Sequence, residues 1–343
     1  MIQCICQELV LRKKFLDGTM VESIYFGGGT PSLLNIEELE LIIGTIYKHY
    51  SVHPFPEITL EANPDDINQR FIKELYLLNV NRLSIGIQTF HDAFLKFMNR
   101  AHNAREAEQA VRIAREAGFS RLSTDLIYGI PHPDHSIFEQ DLEKMVALNT
   151  DHISAYCLTI EERTVFGKWR RDGRLVPPQE DFAAEQFEML MEFMPERQFE
   201  QYEISNFARD QKYSIHNTNY WKGIRYLGVG PGAHSFNTVQ RQYNISNNRQ
   251  YIDNIRKEVI PATIEELTEA DRFNETLLTG LRTIWGVDTS PLSETYPLFF
   301  DSIKPQLERL SENGLLVWTD HRVTLTRSGK LLADEITARL LII

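Results

Sequence analysis

Between Ser23 and Leu158 this chain of 343 residues keeps a regular beat of short apolar runs and longer amphipathic stretches. The apolar, β-branched runs are Ser23–Phe26, Glu57–Ala62, Arg82–Gln88, Arg121–Ile127 and His152–Leu158. Stretches with helical spacing lie between them at 36–50, 67–78, 103–117 and 136–148. Strands that alternate with amphipathic helices must cross over, which specifies βαβ units and a parallel sheet. The punctuation agrees. Asn35 followed by Glu37 and Glu38 has the cap chemistry of a helix start, and Gly118 stops the third helix. The fold class read from this pattern is α/β, as a partial or complete β/α barrel.

What stands at the strand ends directs attention to one mouth of that barrel. After Phe26 come Gly27, Gly28 and Gly29, then Thr30 and Pro31, so the first strand ends in bare backbone. Glu61 closes the second strand, Gln88 the third and Asp125 the fourth, with Arg100 about one turn past Gln88. Active sites of barrels gather at the carboxyl ends of strands. Two carboxylates, an amide and a guanidinium converging there suit a zwitterion joined to a ribose. Arg100 would take a carboxylate in a bidentate fork, an acid with bare carbonyls the ammonium, and Asp125 with Gln88 the ribose diol. Taken singly, Arg100 and Glu61 read better as surface charges and Asp125 as a cap; as a set at the strand ends of one barrel they do not.

Composition excludes several classes. A formal charge of -12 and a pI near 5.4 argue against nucleic acid as a partner. Three cysteines, Cys4, Cys6 and Cys157, give no disulfide framework and fit a reducing, cytoplasmic setting; Cys157 reads as an inert buried thiol. No apolar run reaches the ~20 residues of a membrane span, and the first residues lack a signal-peptide pattern. The beat fades from 161 to 260, where a helix over 181–194, a strand over 198–204 and an irregular Asn- and aromatic-rich region are expected. The segment 261–343 reads as helix, helix, hairpin and a last helix from Ser328, a winged-helix-like domain poor in basic residues and so a packing or partner module. The expected domains are therefore 1–160, 161–260 and 261–343.

Four motifs in order, Gly27-Gly28-Gly29-Thr30-Pro31, Glu61-Ala62-Asn63-Pro64, Gly86-Ile87-Gln88-Thr89-Phe90 and Asp125-Leu126-Ile127-Tyr128-Gly129-Ile130-Pro131, resemble those of radical S-adenosylmethionine proteins. The resemblance is to the oxygen-independent coproporphyrinogen III oxidase superfamily and covers essentially the whole chain. It implies S-adenosylmethionine as a cofactor, held by Gly28, Gly29, Thr30, Glu61, Gln88, Arg100 and Asp125. Within the superfamily, His216-Asn217-Thr218-Asn219-Tyr220-Trp221 is similar to the H-N-x-x-Y-W motif of the HemW-type haem chaperones, and Gly228–Ser235 to the glycine-rich stretch that follows it. That branch implies haem or porphyrin as ligand and a haem-acceptor protein as partner. His216 would be the iron ligand, with Tyr220 and Trp221 covering a porphyrin face; His234 is the alternative ligand.

The family also carries a [4Fe-4S] cluster on a C-x-x-x-C-x-x-C loop after the first barrel strand. Neither that loop nor that strand is in this sequence, and Cys4-Ile5-Cys6 has the wrong spacing and sits in a helical stretch. The expectation is a partial barrel, either with an N-terminal extension missing from the sequence, which the intact remainder of the site favours, or as a cluster-less relative. Radical catalysis is not expected of the chain as written. Haem chaperone is the leading function, oxygen-independent coproporphyrinogen III oxidase the enzymatic alternative, and a cluster-less binding scaffold the third.

Overall fold

In a computed structural model, which describes residues 1–162, 164–175 and 180–343, the chain divides into two compact units. The first comprises 1–29, 33–58 and 214–343, the second 30–32 and 59–213. The elements in chain order begin with α1 (Ile2–Leu11), β1 (Val21–Phe26), α2 (Ile36–His49) and β2 (Val52–Ala62). Asn35 caps α2 in a reciprocal capping box with Glu38, as the sequence signals. β2 starts five residues earlier than its apolar run, because the Pro54 and Pro56 positions still hold extended backbone.

The second unit continues with α3 (Gln69–Leu77), β3 (Arg82–Gln88), α4 (Asp92–Phe97), α5 (Ala104–Glu116), β4 (Arg121–Tyr128), α6 (Ser136–Ala147) and β5 (His152–Cys157). Then come α7 (Val165–Arg171), α8 (Glu180–Glu196), β6 (Glu200–Glu203) and β7 (Asn206–Ala208). Strand order in the sheet is β1-β2-β3-β4-β5-β7-β6. The β2-β3, β3-β4 and β4-β5 pairs are parallel, as the βαβ beat requires, while β7 joins β5 antiparallel. The single strand expected over 198–204 is thus one arm of a hairpin whose other arm, Asn206-Phe207-Ala208, lies between it and the parallel strands. Leu60, Leu83, Ile85, Leu122, Leu126 and Ile153 are fully or almost fully buried under α5 and its neighbours, forming the core on which the strand ends stand.

The rest of the first unit runs α9 (Ile215–Trp221), β8 (His234–Phe236), β9 (Gln240–Asn244), α10 (Asn248–Ile255) and β10 (Ala262–Glu266). The stretch expected to be irregular therefore contains a three-stranded antiparallel sheet, β10-β9-β8. Last come α11 (Glu269–Gly280), β11 (Val287–Asp288), α12 (Thr289–Thr295), α13 (Pro297–Glu312), β12 (Leu316–Thr319), β13 (Arg322–Leu325), α14 (Arg327–Leu331) and α15 (Ala333–Leu340). This is the winged-helix pattern, with β11 added to the wing and the final helix broken in two near Leu332. No helix is long and apolar enough to cross a membrane among the described residues.

Candidate functional site

Alternation along the parallel strands builds a polar row in the second unit. Half-buried Glu61 lies between buried Leu60 and Ala62, Ser84 between Leu83 and Ile85, and Asp125 between Thr124 and Leu126. Side chains two apart share a face, so the polar members point away from the core that their neighbours fill. Glu61 is in register with Ser84, and Asp125 with Ser154. Ser84 Oγ donates to Asp125 Oδ1 at 3.4 Å, while Ser154 Oγ donates to Asn206 Oδ1 at 3.0 Å. Asp125 is not at the strand tip, as the sequence reading has it: β4 runs on to Tyr128 and leaves it inside the mouth. Burial is the main reason its carboxyl is pushed up to about 7, with Glu61 adding repulsion and Ser84 and Arg100 opposing.

Arg100 joins this row from the loop after α4. Its Nη2 donates to the Gly86 carbonyl at 2.9 Å and lies 3.4 Å from Asn63 Oδ1. Burial draws the guanidinium below its usual range, against the pull of Asp125 and Asp65. Glycine at 86 is what allows this approach, since a Cβ there would stand 2.8 Å from Arg100 Nη2 and 2.9 Å from Gln88 Nε2. Glu61, Gln88, Arg100 and Asp125 are thus brought to one mouth. Thr30 is exposed in the same unit, two residues before Ser32, whose Oγ donates to Asp66 at 2.5 Å. Gly28 and Gly29 end β1 in the first unit, both exposed; Gly28 has φ +74, and a Cβ on either meets nothing within 4 Å.

The motif helix α9 belongs to the first unit and is fastened to β1. Ser214 caps it by accepting from Asn217 N–H, and Glu57 Oε1 accepts the His216 N–H at 3.0 Å, a carboxylate at the positive end of the helix. The His216 ring stacks on Tyr25 at 4.4 Å, its Nδ1 is 3.3 Å from Ser23 Oγ, and Asn219 donates to Glu22. Nε2 has no hydrogen-bond partner among the described residues. Burial lowers the pKa of His216 despite Glu57, which keeps the imidazole neutral. In the tautomer in which Nδ1–H donates to Ser23, Nε2 carries the free lone pair, the arrangement a metal-binding histidine needs.

Tyr220 is one helical turn from His216 and exposed. Trp221 is at right angles to it, at 5.1 Å and 89°, with the Arg282 guanidinium 5.2 Å from its ring centre. The two rings therefore stand edge to face, with Tyr220 the more exposed of the pair. His234 is exposed on β8 and tilted against Tyr243 at 5.8 Å. Cys157, expected to be buried, is exposed at the end of β5. Cys4 packs with Tyr251 and Ile255 in the core of the first unit, and Cys6 follows in the same helix. These thiols do not fit an iron-sulfur cluster, and no metal-holding group of His, Cys, Asp or Glu occurs among the described residues.

The sequence reading passed over other buried polar groups. Fully buried Glu8 of α1 accepts from Gly230 N–H at 2.9 Å, Tyr251 Oη at 2.6 Å, Asn244 Nδ2 at 2.7 Å and Arg12 at 3.3 Å. It fixes the glycine-rich stretch 228–235 from an N-terminal helix, and only the i,i+4 spacing of Glu8 and Arg12 hints at this in sequence. His102 and Asp141, both buried, are tied to the end of β3.

The comparisons with known proteins fit this geometry. The radical SAM superfamily model matches residues 7–145 and the HemN C-terminal domain model residues 267–332. The heme chaperone HemW of Bacillus subtilis (strain 168) is 36% identical over 320 residues, spanning 92% of this chain and 84% of that protein. The chain belongs to the HemW family. The HemW of Lactococcus lactis subsp. lactis is 31% identical over 323 residues, spanning 94% of this chain and 85% of its own. The solved structure titled coproporphyrinogen III oxidase (HemN) from Escherichia coli, a radical SAM enzyme, superposes with a TM-score of 0.83 over 98% of this chain and 82% of that one. At 23% identity this last likeness establishes the fold, a half-barrel of the radical SAM type, and not the activity.

Proposed function

We propose that this protein is a cytoplasmic haem chaperone of the HemW type, which binds haem through Nε2 of His216 and passes it to an acceptor protein. The observation that carries the reading is the state of His216: neutral, half-buried, fixed at Nδ1 and through its stacked ring, with Nε2 free. A neutral imidazole held in that way is a usual axial ligand of haem iron. Tyr220 supplies exposed aromatic surface on the same helix face. The cytoplasmic setting is supported by three free cysteines. The coproporphyrinogen oxidase alternative rests on fold likeness only.

S-adenosylmethionine is the second ligand of this proposal. The polar row suits its charges: Arg100, anchored by the Gly86 carbonyl, has donors left for a carboxylate, and Asp125 with Gln88 offers an acceptor and an amide for ribose hydroxyls. Gly28 and Gly29 are candidates through exposed backbone alone. When bound with a cluster, this cofactor supplies radical chemistry; the thiols of this chain do not fit the cluster.

The test is a haem titration followed at the Soret band, with His216→Ala and His234→Ala in parallel. One tight haem, lost in His216→Ala and kept in His234→Ala, is the expected result. Equal binding by wild type and His216→Ala overturns the assignment.

A further inference from the structure

The end of β3 is held in a conformation that its own sequence does not favour. Gln88 has φ +71, and the Thr89 N–H donates across it to the Ile87 carbonyl at 3.0 Å. A three-residue turn with positive φ at its centre is rare and strained for a side-chain-bearing residue, and persists only where the surroundings over-determine it. Here every residue around Gln88 is tied. Arg100 Nη2 donates to the Gly86 carbonyl, and His102 Nε2 donates to the Ile87 carbonyl at 3.1 Å, so that oxygen accepts twice. Asp141 accepts from Thr89 Oγ1 at 2.5 Å and from Phe90 N–H at 2.8 Å, and Thr89 Oγ1 accepts the His91 N–H at 3.1 Å. The Gln88 amide, by contrast, has no hydrogen-bond partner among the described residues, and its Nε2 lies beside Gly86 in the polar row.

We propose that His102 and Asp141 are positioning residues that clamp the strained turn from both sides so that the Gln88 amide is presented to the ribose hydroxyls of a nucleoside ligand. The proposal rests on the S-adenosylmethionine reading of the polar row and assigns it residues that touch no ligand. His102 acts through one atom. Since Nε2 must carry the proton to bond Ile87, Nδ1 is the unprotonated nitrogen; it is buried without a hydrogen-bond partner among the described residues, 3.8 Å from Asp65 Oδ1. A glutamine side chain can place an N–H where Nε2 stands, whereas leucine fills the space and removes the donor.

The probes are 5′-methylthioadenosine, which has the ribose and adenine without the amino-acid end, and S-adenosylmethionine itself. Affinities for the full chain are measured by equilibrium dialysis, with amide hydrogen exchange over residues 86–91. His102→Leu should weaken 5′-methylthioadenosine about tenfold and speed exchange at Thr89 by a similar factor, the loss of one hydrogen bond of ~1.4 kcal/mol. His102→Gln should stay within about threefold of wild type in both. If His102→Leu does not fold, Thr89→Val, which removes the hydroxyl's bond to Asp141 together with its bond from the His91 N–H, should weaken binding and speed exchange in the same way. Should Gln88→Ala lose affinity while His102→Leu and Thr89→Val bind as wild type, the clamp is refuted and the ligand reading stands. Should wild type bind neither probe, or Gln88→Ala bind as wild type, the ligand reading fails and takes the clamp with it.

Discussion

Asp125 is the residue at which the candidate site works against the stability of the fold, and Asp125→Asn tests that directly. The carboxyl rises from 3.8 to about 7, chiefly through burial, with Glu61 adding to it. A carboxyl whose folded pKa lies above its unfolded value binds its proton more tightly in the folded state. Folding is then unhindered below about pH 4, loses stability progressively as the pH rises toward 7, and carries the full penalty above it. A shift of that size corresponds to roughly 4 kcal/mol. Because Asp125 keeps part of its surface open at the strand mouth, about half, ~2 kcal/mol, is a realistic expectation. Asparagine has nearly the same shape, can still accept from Ser84, and carries no charge. The variant without ligand should therefore melt higher at pH 8, by roughly 4–8 °C for a cooperative unit of 150–250 residues, and the gain should shrink as the pH falls to 5.5. The same variant should bind 5′-methylthioadenosine at least tenfold more weakly, having lost its anionic acceptor. Paired melting curves from pH 5.5 to 8 decide the matter. A gain independent of pH, or a loss of stability at pH 8, refutes the reasoning.

The remaining predictions concern the first unit. Ser23→Ala removes the Nδ1 partner of His216 and should weaken haem several-fold with a shifted Soret maximum, whereas Tyr25→Leu, which removes the stacked ring and leaves the Nδ1 partner in place, should mainly lower affinity; a titration of both separates the effects. Gly28→Ala forces a side chain to φ +74 in open space and should lower stability by about 1 kcal/mol without a steric clash, read by urea denaturation. Glu8→Ala leaves Arg12 buried without its acid and frees Gly230, Asn244 and Tyr251 at once, and should destabilise by about 3–5 kcal/mol in the same assay. Glu8→Gln, which keeps part of the acceptor geometry, should lose less.

The part of the fold legible in sequence is the part whose hydrophobic pattern is strong. β3, β4 and β5 are runs in which buried residues leave little ambiguity, and α5 buries Ala107, Ala110, Val111 and Ala114 at helical spacing between an asparagine cap and Gly118. The sheet of β8, β9 and β10 was not legible, for a physical reason. Its strands read His-Ser-Phe, Gln-Arg-Gln-Tyr-Asn and Ala-Thr-Ile-Glu-Glu, and they pair through backbone with little apolar burial. Such strands exist because their partners are already in place, and no local alternation announces them. The three residues of β7 and the seven of α7 are too short to show a period at all.

The site divides along the same line. Glu61, Gln88 and Asp125 were visible because strong strands carry them to predictable places. His102, Asp141 and Glu8 were not, because each acts on a carbonyl, hydroxyl or amide supplied 15, 52 and 222 residues away. The structure also gives them a shared character. Each is a buried polar group spent on holding backbone that would otherwise relax: the positive-φ turn at Gln88, and the glycine-rich stretch at Gly230. Two side-chain groups stand without a hydrogen-bond partner among the described residues, the amide of Gln88 and Nε2 of His216. Local rules are broken where the surroundings enforce it, and the exposed valence left over is where a ligand can bind. On that argument the two proposed ligands, a nucleoside and haem, are read from the same physical sign in two separate units.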